Sequence, residues 1–136
     1  RRSSDLALFL SSPNPRVGCV ITAPDGRVLG EGFTQQVGGP HAEVVALRAA
    51  QAAGHDMRGA TAYVTLEPCA MCAGAIAHAR LARVYYAAPD PKGGAVEHGA
   101  RVFEQAQCLH KPEVYAGMGE AEAAELLRDF FRARRT

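Results

Sequence analysis

No run of about eighteen apolar residues occurs in this 136-residue chain, which excludes a helix that crosses a membrane. The stretch from Arg1 to Leu10 also lacks the long apolar block and small-residue cleavage site of a secretory signal. It begins without a methionine, so a helix ending near Leu10 is expected to be incomplete. Neither sign of charge is in excess: 15 Lys and Arg stand against 14 Asp and Glu, for a formal net charge of +1. That balance argues against the broad basic surface of a dedicated nucleic-acid binder and leaves room only for a local patch. Repeats, low-complexity tracts and linkers are lacking too, so residues 1–136 read as one domain, long enough to bury a core without disulfides.

The chain does have four cysteines, Cys19, Cys69, Cys72 and Cys108. With no export signal the expected compartment is the reducing cytoplasm, where paired cysteines mean metal or redox chemistry more often than disulfides. Cys19 lies in an apolar run, VGCVI, and Cys108 has no spaced partner, so both read as small buried hydrophobes. Only Cys69 and Cys72 stand at a ligand spacing. A basic cluster, Arg128, Arg132, Arg134 and Arg135, closes the chain. It fits either a solvated helix end, where cations favour the dipole, or a phosphate contact.

Val17 to Ala23 and Arg27 to Phe33 read as two strands joined by the Pro24-Asp25-Gly26 turn. From His41 to Ala53 apolar residues recur at helical spacing (Val44, Val45, Leu47, Ala50), and Gly54 ends the helix. Thr61 to Leu66 is β-branched and aromatic, hence a strand. Pro68 to Ala79 reads as a helix with proline at its entry, and Arg83 to Ala87 as a fourth strand. A long loop with one helical turn near Phe103 is expected over residues 89–111, then a short strand from Glu113 to Tyr115. Glu120 to Arg134 has the pattern of an amphipathic helix, with Ala123, Leu126, Leu127, Phe130 and Phe131 inward. Strands alternating with helices imply an α/β layer fold, and the initial hairpin makes its five-stranded sheet mixed.

In such sheets, sites gather at strand ends and helix starts. Two segments with ligand chemistry begin helices, His41-Ala42-Glu43 and Pro68-Cys69-Ala70-Met71-Cys72. Residues three apart share a helix face, so Cys69 and Cys72 can turn both sulfurs to one point. The positive end of the helix favours the thiolate that zinc requires. With an imidazole from His41 the site has three protein ligands and an open fourth position, as catalytic rather than structural zinc sites do. Two thiolates leave zinc less able to acidify water than an all-histidine site, and a nearby carboxylate compensates. Glu43, two residues past His41, is placed to take the proton from water and return it to a departing amine.

Together, H-x-E and P-C-x-x-C resemble the signature of the cytidine deaminase-like superfamily of zinc enzymes, which remove exocyclic amines from nucleobases. The resemblance implies a three-layer α/β/α fold, one zinc ion per chain, and activity as a hydrolytic deaminase. Thr65 to Ala95 (TLEPCAMCAGAIAHARLARVYYAAPDPKGGA) and Leu126 to Arg135 (LLRDFFRARR) are similar to bacterial tRNA adenosine deaminases, which form inosine at the wobble position. That branch implies a cytoplasmic homodimer that grips a tRNA anticodon arm, with Arg132, Arg134 and Arg135 as RNA contacts. Ser12 to Ile21 and Gly38 to Glu43 are instead similar to the riboflavin-pathway deaminase domain, which acts on a small pyrimidine. That domain carries a longer insert between its zinc cysteines, which Cys69 and Cys72 lack, and usually a reductase domain beside it, which is not expected here.

In the tRNA branch an Asn that contacts the base follows the GEG-aromatic stretch, whereas Thr34 follows Gly30-Glu31-Gly32-Phe33 here. Asn14 is a substitute hydrogen-bonding group or a turn residue before Pro15. Thr34 and Phe33 are the other candidate substrate contacts, while Val17 and Met71 either line the pocket or pack in the core. Glu97 and His98 fall in a loop that could border it, and His55 and His110 read as solvent-facing. Three functions stay open: wobble deamination of tRNA, deamination of a free base, nucleoside or nucleotide, and a noncatalytic zinc-bearing binding subunit. Glu43 counts against the last, since a structural zinc has no use for it.

Overall fold

The computed structural model describes residues 17–33 and 40–116. Strands β1 (Gly18–Thr22) and β2 (Val28–Phe33) lead into helix α1 (Ala42–Ala52). Strand β3 (Thr61–Leu66), helix α2 (Ala70–His78) and strand β4 (Arg83–Ala88) follow. A single 3-10 turn (Val102–Glu104) then precedes β5 (Glu113–Ala116). The strands form one mixed sheet in the order β2-β1-β3-β4-β5. β1 runs antiparallel to both β2 and β3, while β3, β4 and β5 run parallel. The predicted α/β fold with its mixed five-stranded sheet is therefore present. The helix predicted from Glu120 to Arg134 lies outside the described residues, as does the N-terminal segment.

Strand directions set the site's position. Because β2 and β3 both oppose β1, β2, β3 and β4 all point the same way, and the connections that leave them emerge at one edge of the sheet. α1 follows β2 and α2 follows β3, so both helices start at that carboxyl edge, where α/β sheets place their ligands.

β1 is buried along nearly its whole length, as expected of a central strand, and Cys19 is fully buried within it. Cys19, Ile21, Ala62, Val64, Val84 and Tyr86 project from the sheet into a core shared with Ala46, Ala50, Ala73, Ile76 and Leu81. Each buried Ile, Leu or Val contributes about 1.5–3 kcal/mol relative to exposure. The stripe that α1 buries differs from the predicted one. Val44 and Val45 are only half-buried, and Ala42, Ala46, Leu47 and Ala50 face inward with Glu43.

Helix α1 packs closely on β2. A Cβ on Gly30 would stand 2.3 Å from the carbonyl oxygen of Ala46, and one on Gly32 would stand 2.5 Å from that of Ala42. The backbone of α1 rests directly on these two glycines, with the side chains of Ala50 at Gly30 and Val45 at Gly32 beside it. Replacing Gly30 by alanine is therefore expected to destabilise the fold by about 1–3 kcal/mol or more, since backbone atoms cannot yield as a flexible side chain does. Chemical denaturation measures it, as a lower midpoint at unchanged slope.

Candidate metal centre

His41 and Cys69 occupy equivalent places, each the N-cap residue of a helix with extended backbone (φ −70°, ψ 157° and φ −76°, ψ 177°). Pro40 and Pro68 stand just before them, so each helix begins one or two residues later than proline at the first turn would imply. The His41 ring makes no capping hydrogen bond and is left to other partners. Cys72 is the third residue of α2, fully buried, with Cys69 half-buried and His41 exposed.

The three side chains converge. His41 Nδ1 lies 3.4 Å from the sulfur of Cys69 and 3.4 Å from that of Cys72. All three donor atoms lie within 4.8 Å of one another, and among the described residues no other group of His, Cys, Asp or Glu gathers so. A tetrahedral zinc ion with Zn–S near 2.3 Å and Zn–N near 2.05 Å places its nitrogen and sulfur ligands about 3.6 Å apart. The donor set fits that ion in both identity and spacing.

The electrostatics fit as well. Cys69 is pulled down to about 5, chiefly because the Cys72 thiol donates a hydrogen bond to it, with the amides at the start of α2 and the His41 ring assisting. Cys72 is pushed up, first by that same bond and then by burial and the Glu43 charge. A dipositive ion between the two sulfurs is what lets both become thiolates.

Glu43 sits in the first turn of α1, only 4% exposed. Burial raises its carboxyl above the ordinary range, and the charge on Cys69 adds to this, while its own amide and the Cys72 thiol pull the other way. A buried carboxyl with a raised pKa beside a metal-type donor cluster is a candidate proton carrier.

The family profile of the cytidine and deoxycytidylate deaminase zinc-binding region matches residues 3–88, well over half of the chain. The chain belongs to that deaminase family. It is a zinc-dependent hydrolytic deaminase, and the His-Cys-Cys cluster supports a zinc site. It is 50% identical over 125 residues to the tRNA-specific adenosine deaminase of Agrobacterium fabrum, covering 88% of this chain and 82% of that protein. A tRNA:A34 deaminase structure, from work on A-to-I editing at the wobble position, superposes with a TM-score of 0.68 at 48% identity. That match covers 74% of this chain and 82% of the other. The riboflavin biosynthesis protein RibD of Escherichia coli is 42% identical over 134 residues. This covers 94% of the present chain but 34% of RibD, so the deaminase spans about a third of that protein.

The remaining candidates divide. Asn14, Thr34, Arg132, Arg134 and Arg135 lie outside the described residues, with Arg128. Phe33 ends β2 opposite Gly18 and is half-buried, at the carboxyl edge. Val17 is half-buried against the core, whereas Met71 is 58% exposed at the start of α2 and is no core residue. Glu97 accepts a hydrogen bond from the hydroxyl of buried Tyr86, and His98 Nδ1 lies 2.8 Å from Glu67. His110 departs from expectation, since its Nε2 lies 2.6 Å from the Leu81 carbonyl oxygen and the ring is half-buried. His55 is half-buried as well. Cys108 is half-buried, its thiol directed at the His110 carbonyl oxygen. A cavity of about 400 Å³ lies behind α2, among Gly74, His78, Arg80, Val102 and Cys108, and none of the metal donors or Glu43 lines it.

One carboxylate escaped the sequence motifs. Glu67 is only 3% exposed, and although burial alone would raise its carboxyl, the amide of Asp90 and the ring of His98 outweigh this and hold it lower. The signal was a single acidic residue between a strand end and the Pro-Cys pair, which no periodicity or spacing distinguishes from an exposed one.

Proposed function

We propose that this deaminase acts on tRNA, converting the wobble adenosine of an anticodon loop to inosine and releasing ammonia. The observation that carries this reading is the 50% identity to a tRNA-specific adenosine deaminase, which this chain matches over 82% of that protein's length. Identity to RibD of Escherichia coli is lower, at 42%. A base in an anticodon loop is already unstacked, so its Watson–Crick edge can enter a pocket without duplex opening.

His41, Cys69 and Cys72 hold one zinc ion per chain. When bound, zinc supplies a Lewis acid that lowers the pKa of water. Glu43 takes the proton of the attacking water as its oxygen bonds to the amidine carbon. The same carboxyl then delivers a proton to the exocyclic nitrogen, whose bond to carbon breaks to give ammonia. Its burial supports both transfers, because desolvation brings the carboxyl closer to the pKa of the groups it exchanges with.

Phe33 stacks or packs on the base, and Asn14 and Thr34 supply hydrogen bonds to it. Arg132, Arg134 and Arg135 contact backbone phosphates of the anticodon arm. The working unit is a homodimer of single-domain chains in the cytoplasm. No helix among the described residues is long and apolar enough to cross a membrane.

The test is ammonia release by zinc-loaded protein from two sets of compounds. One is an anticodon stem-loop with a wobble adenosine, and the other comprises adenine, guanine, cytosine and their nucleosides. Release from the stem-loop alone is expected. Turnover of a free base with an inert stem-loop would instead mark a small-molecule deaminase, the reading that Thr34 and the N-terminal segments favour.

A further inference from the structure

The start of helix α2 brings Cys69 and Cys72 together, but the two residues before Cys69, Glu67 and Pro68, are held by a different part of the chain. Glu67 follows the last residue of β3, and its carboxylate is fully enclosed. Its Oε2 accepts hydrogen bonds from three successive amides, those of Val96 (3.1 Å), Glu97 (2.9 Å) and His98 (3.1 Å). Its Oε1 accepts from the Asp90 amide at 3.0 Å and lies 2.8 Å from Nδ1 of His98. Successive N–H groups converging on one oxygen form an anion-binding nest, here filled by a carboxylate of the same chain.

The neighbouring backbone closes the clamp. The Ala95 amide donates to the Pro68 carbonyl oxygen at 2.8 Å, and the Glu67 amide donates to that of Ala88 at 2.9 Å. A Cβ on Gly94 would stand 2.4 Å from Cδ of Glu67, so the carboxylate fills the place a side chain would take. Residues 90–98 therefore grip Glu67 by its side chain and Pro68 by its carbonyl, and Cys69 is the next residue along. The loop leaves β4 at the same carboxyl edge from which α1 and α2 start.

We propose that Glu67 is a positioning residue for the metal: it fixes the Pro68-Cys69 arm against the 90–98 loop, so that zinc binding and the order of that loop are coupled. The inference rests on the reading that His41, Cys69 and Cys72 hold zinc. Groups that orient metal ligands from behind typically change metal affinity or activity by about 10–100-fold when altered. Coupling of binding free energies is reciprocal, so a clamp that raises zinc affinity is itself tightened by zinc. A purely structural clamp shows no such dependence.

Two measurements test it. Hydrogen exchange of the wild-type protein, zinc-loaded and after stripping by a chelator, reads the amides of Asp90, Val96, Glu97 and His98 directly. Exchange at these amides is expected to rise about tenfold or more on stripping and to recover when zinc is restored, with β1 amides as the reference. Zinc affinity, by competition with a chromogenic chelator, is expected to fall about 10–100-fold in Glu67→Gln. The Gln amide must set its NH2 against an amide donor whichever way it turns. Gly94→Ala, which displaces the carboxylate without altering it, should weaken zinc in the same direction.

Equal exchange in the loaded and stripped protein would overturn the proposal, as would a Glu67→Gln affinity within twofold of wild type. If Glu67→Gln does not fold, Gly94→Ala and the wild-type exchange comparison decide. A wild-type protein that binds no zinc, or a Cys69→Ser variant that binds it equally well, overturns the metal reading, and with it the coupling. Zinc bound tightly beside an indifferent loop removes the coupling alone.

Discussion

Glu43→Ala is expected to lower turnover by roughly a thousandfold or more while zinc stays bound, because in the proposed mechanism one carboxyl serves both proton transfers and general acid–base catalysis typically contributes about 10²–10⁴-fold. The separation of the two effects follows from the geometry. The three proposed metal donors, His41, Cys69 and Cys72, are distinct from Glu43, which stands two residues beyond His41 with its carboxyl beside the cysteines. Removing the carboxyl takes a negative charge from beside Cys72, whose proton that charge helps to retain. Zinc affinity should therefore hold or improve. Single-turnover kinetics with metal analysis of the same sample provides the check, and a variant that turns over at near the wild-type rate removes Glu43 from the mechanism. Glu43→Gln sharpens the comparison, since it keeps the volume of a buried side chain and removes only the exchangeable acid.

Cys69→Ser should lose the metal. Cys69 is the more acidic of the two thiols, held at about 5 principally by the bond from Cys72. A serine hydroxyl does not ionise in this range and is a poor partner for zinc beside a soft thiolate. Zinc affinity is expected to fall by well over about 100-fold, beyond the cost of losing an outer partner. The fold should survive, because Cys69 is only half-buried at a helix N-cap, where serine is itself a favoured residue. Elemental analysis after dialysis, with a circular dichroism spectrum of the same preparation, separates metal loss from unfolding. Undiminished zinc in the folded variant would overturn the ligand assignment.

Much of this was legible in the sequence because the chemistry is local. The cysteines are three apart at a helix start, His41 begins the preceding helix, and each strand has a periodicity of its own. Strand β3 was expected at Thr61 to Leu66 and is found there. The others shift by one residue, since strand ends depend on where a partner's hydrogen bonds stop rather than on the chain itself.

What was hidden is tertiary. Helix α1 lies with its backbone on Gly30 and Gly32 of a different element, and Ala42, Ala46 and Ala50 are buried where Val44 and Val45 are only half-buried. The loop after β4 carries no periodicity, yet it is tightly organised, because its amides converge on a carboxylate about 30 residues earlier in the chain. His110 looked free for the same reason: its partner, Leu81, is 29 residues away. Family resemblance rather than residue pattern supplied the substrate, and the residues that would contact it, Asn14, Thr34 and the terminal arginines, lie outside the described part of the fold.

In the proposed reaction water, with Glu43 as its proton carrier, replaces the amine of a wobble adenosine. An anticodon stem-loop incubated with zinc-loaded protein in heavy-oxygen water, digested to nucleosides and analysed by mass spectrometry, tests it most directly. The account predicts inosine at the wobble position alone, carrying one heavy oxygen from solvent, and none formed by Glu43→Ala. An unchanged wobble adenosine, in a protein that holds zinc and releases ammonia from a free base, would contradict it.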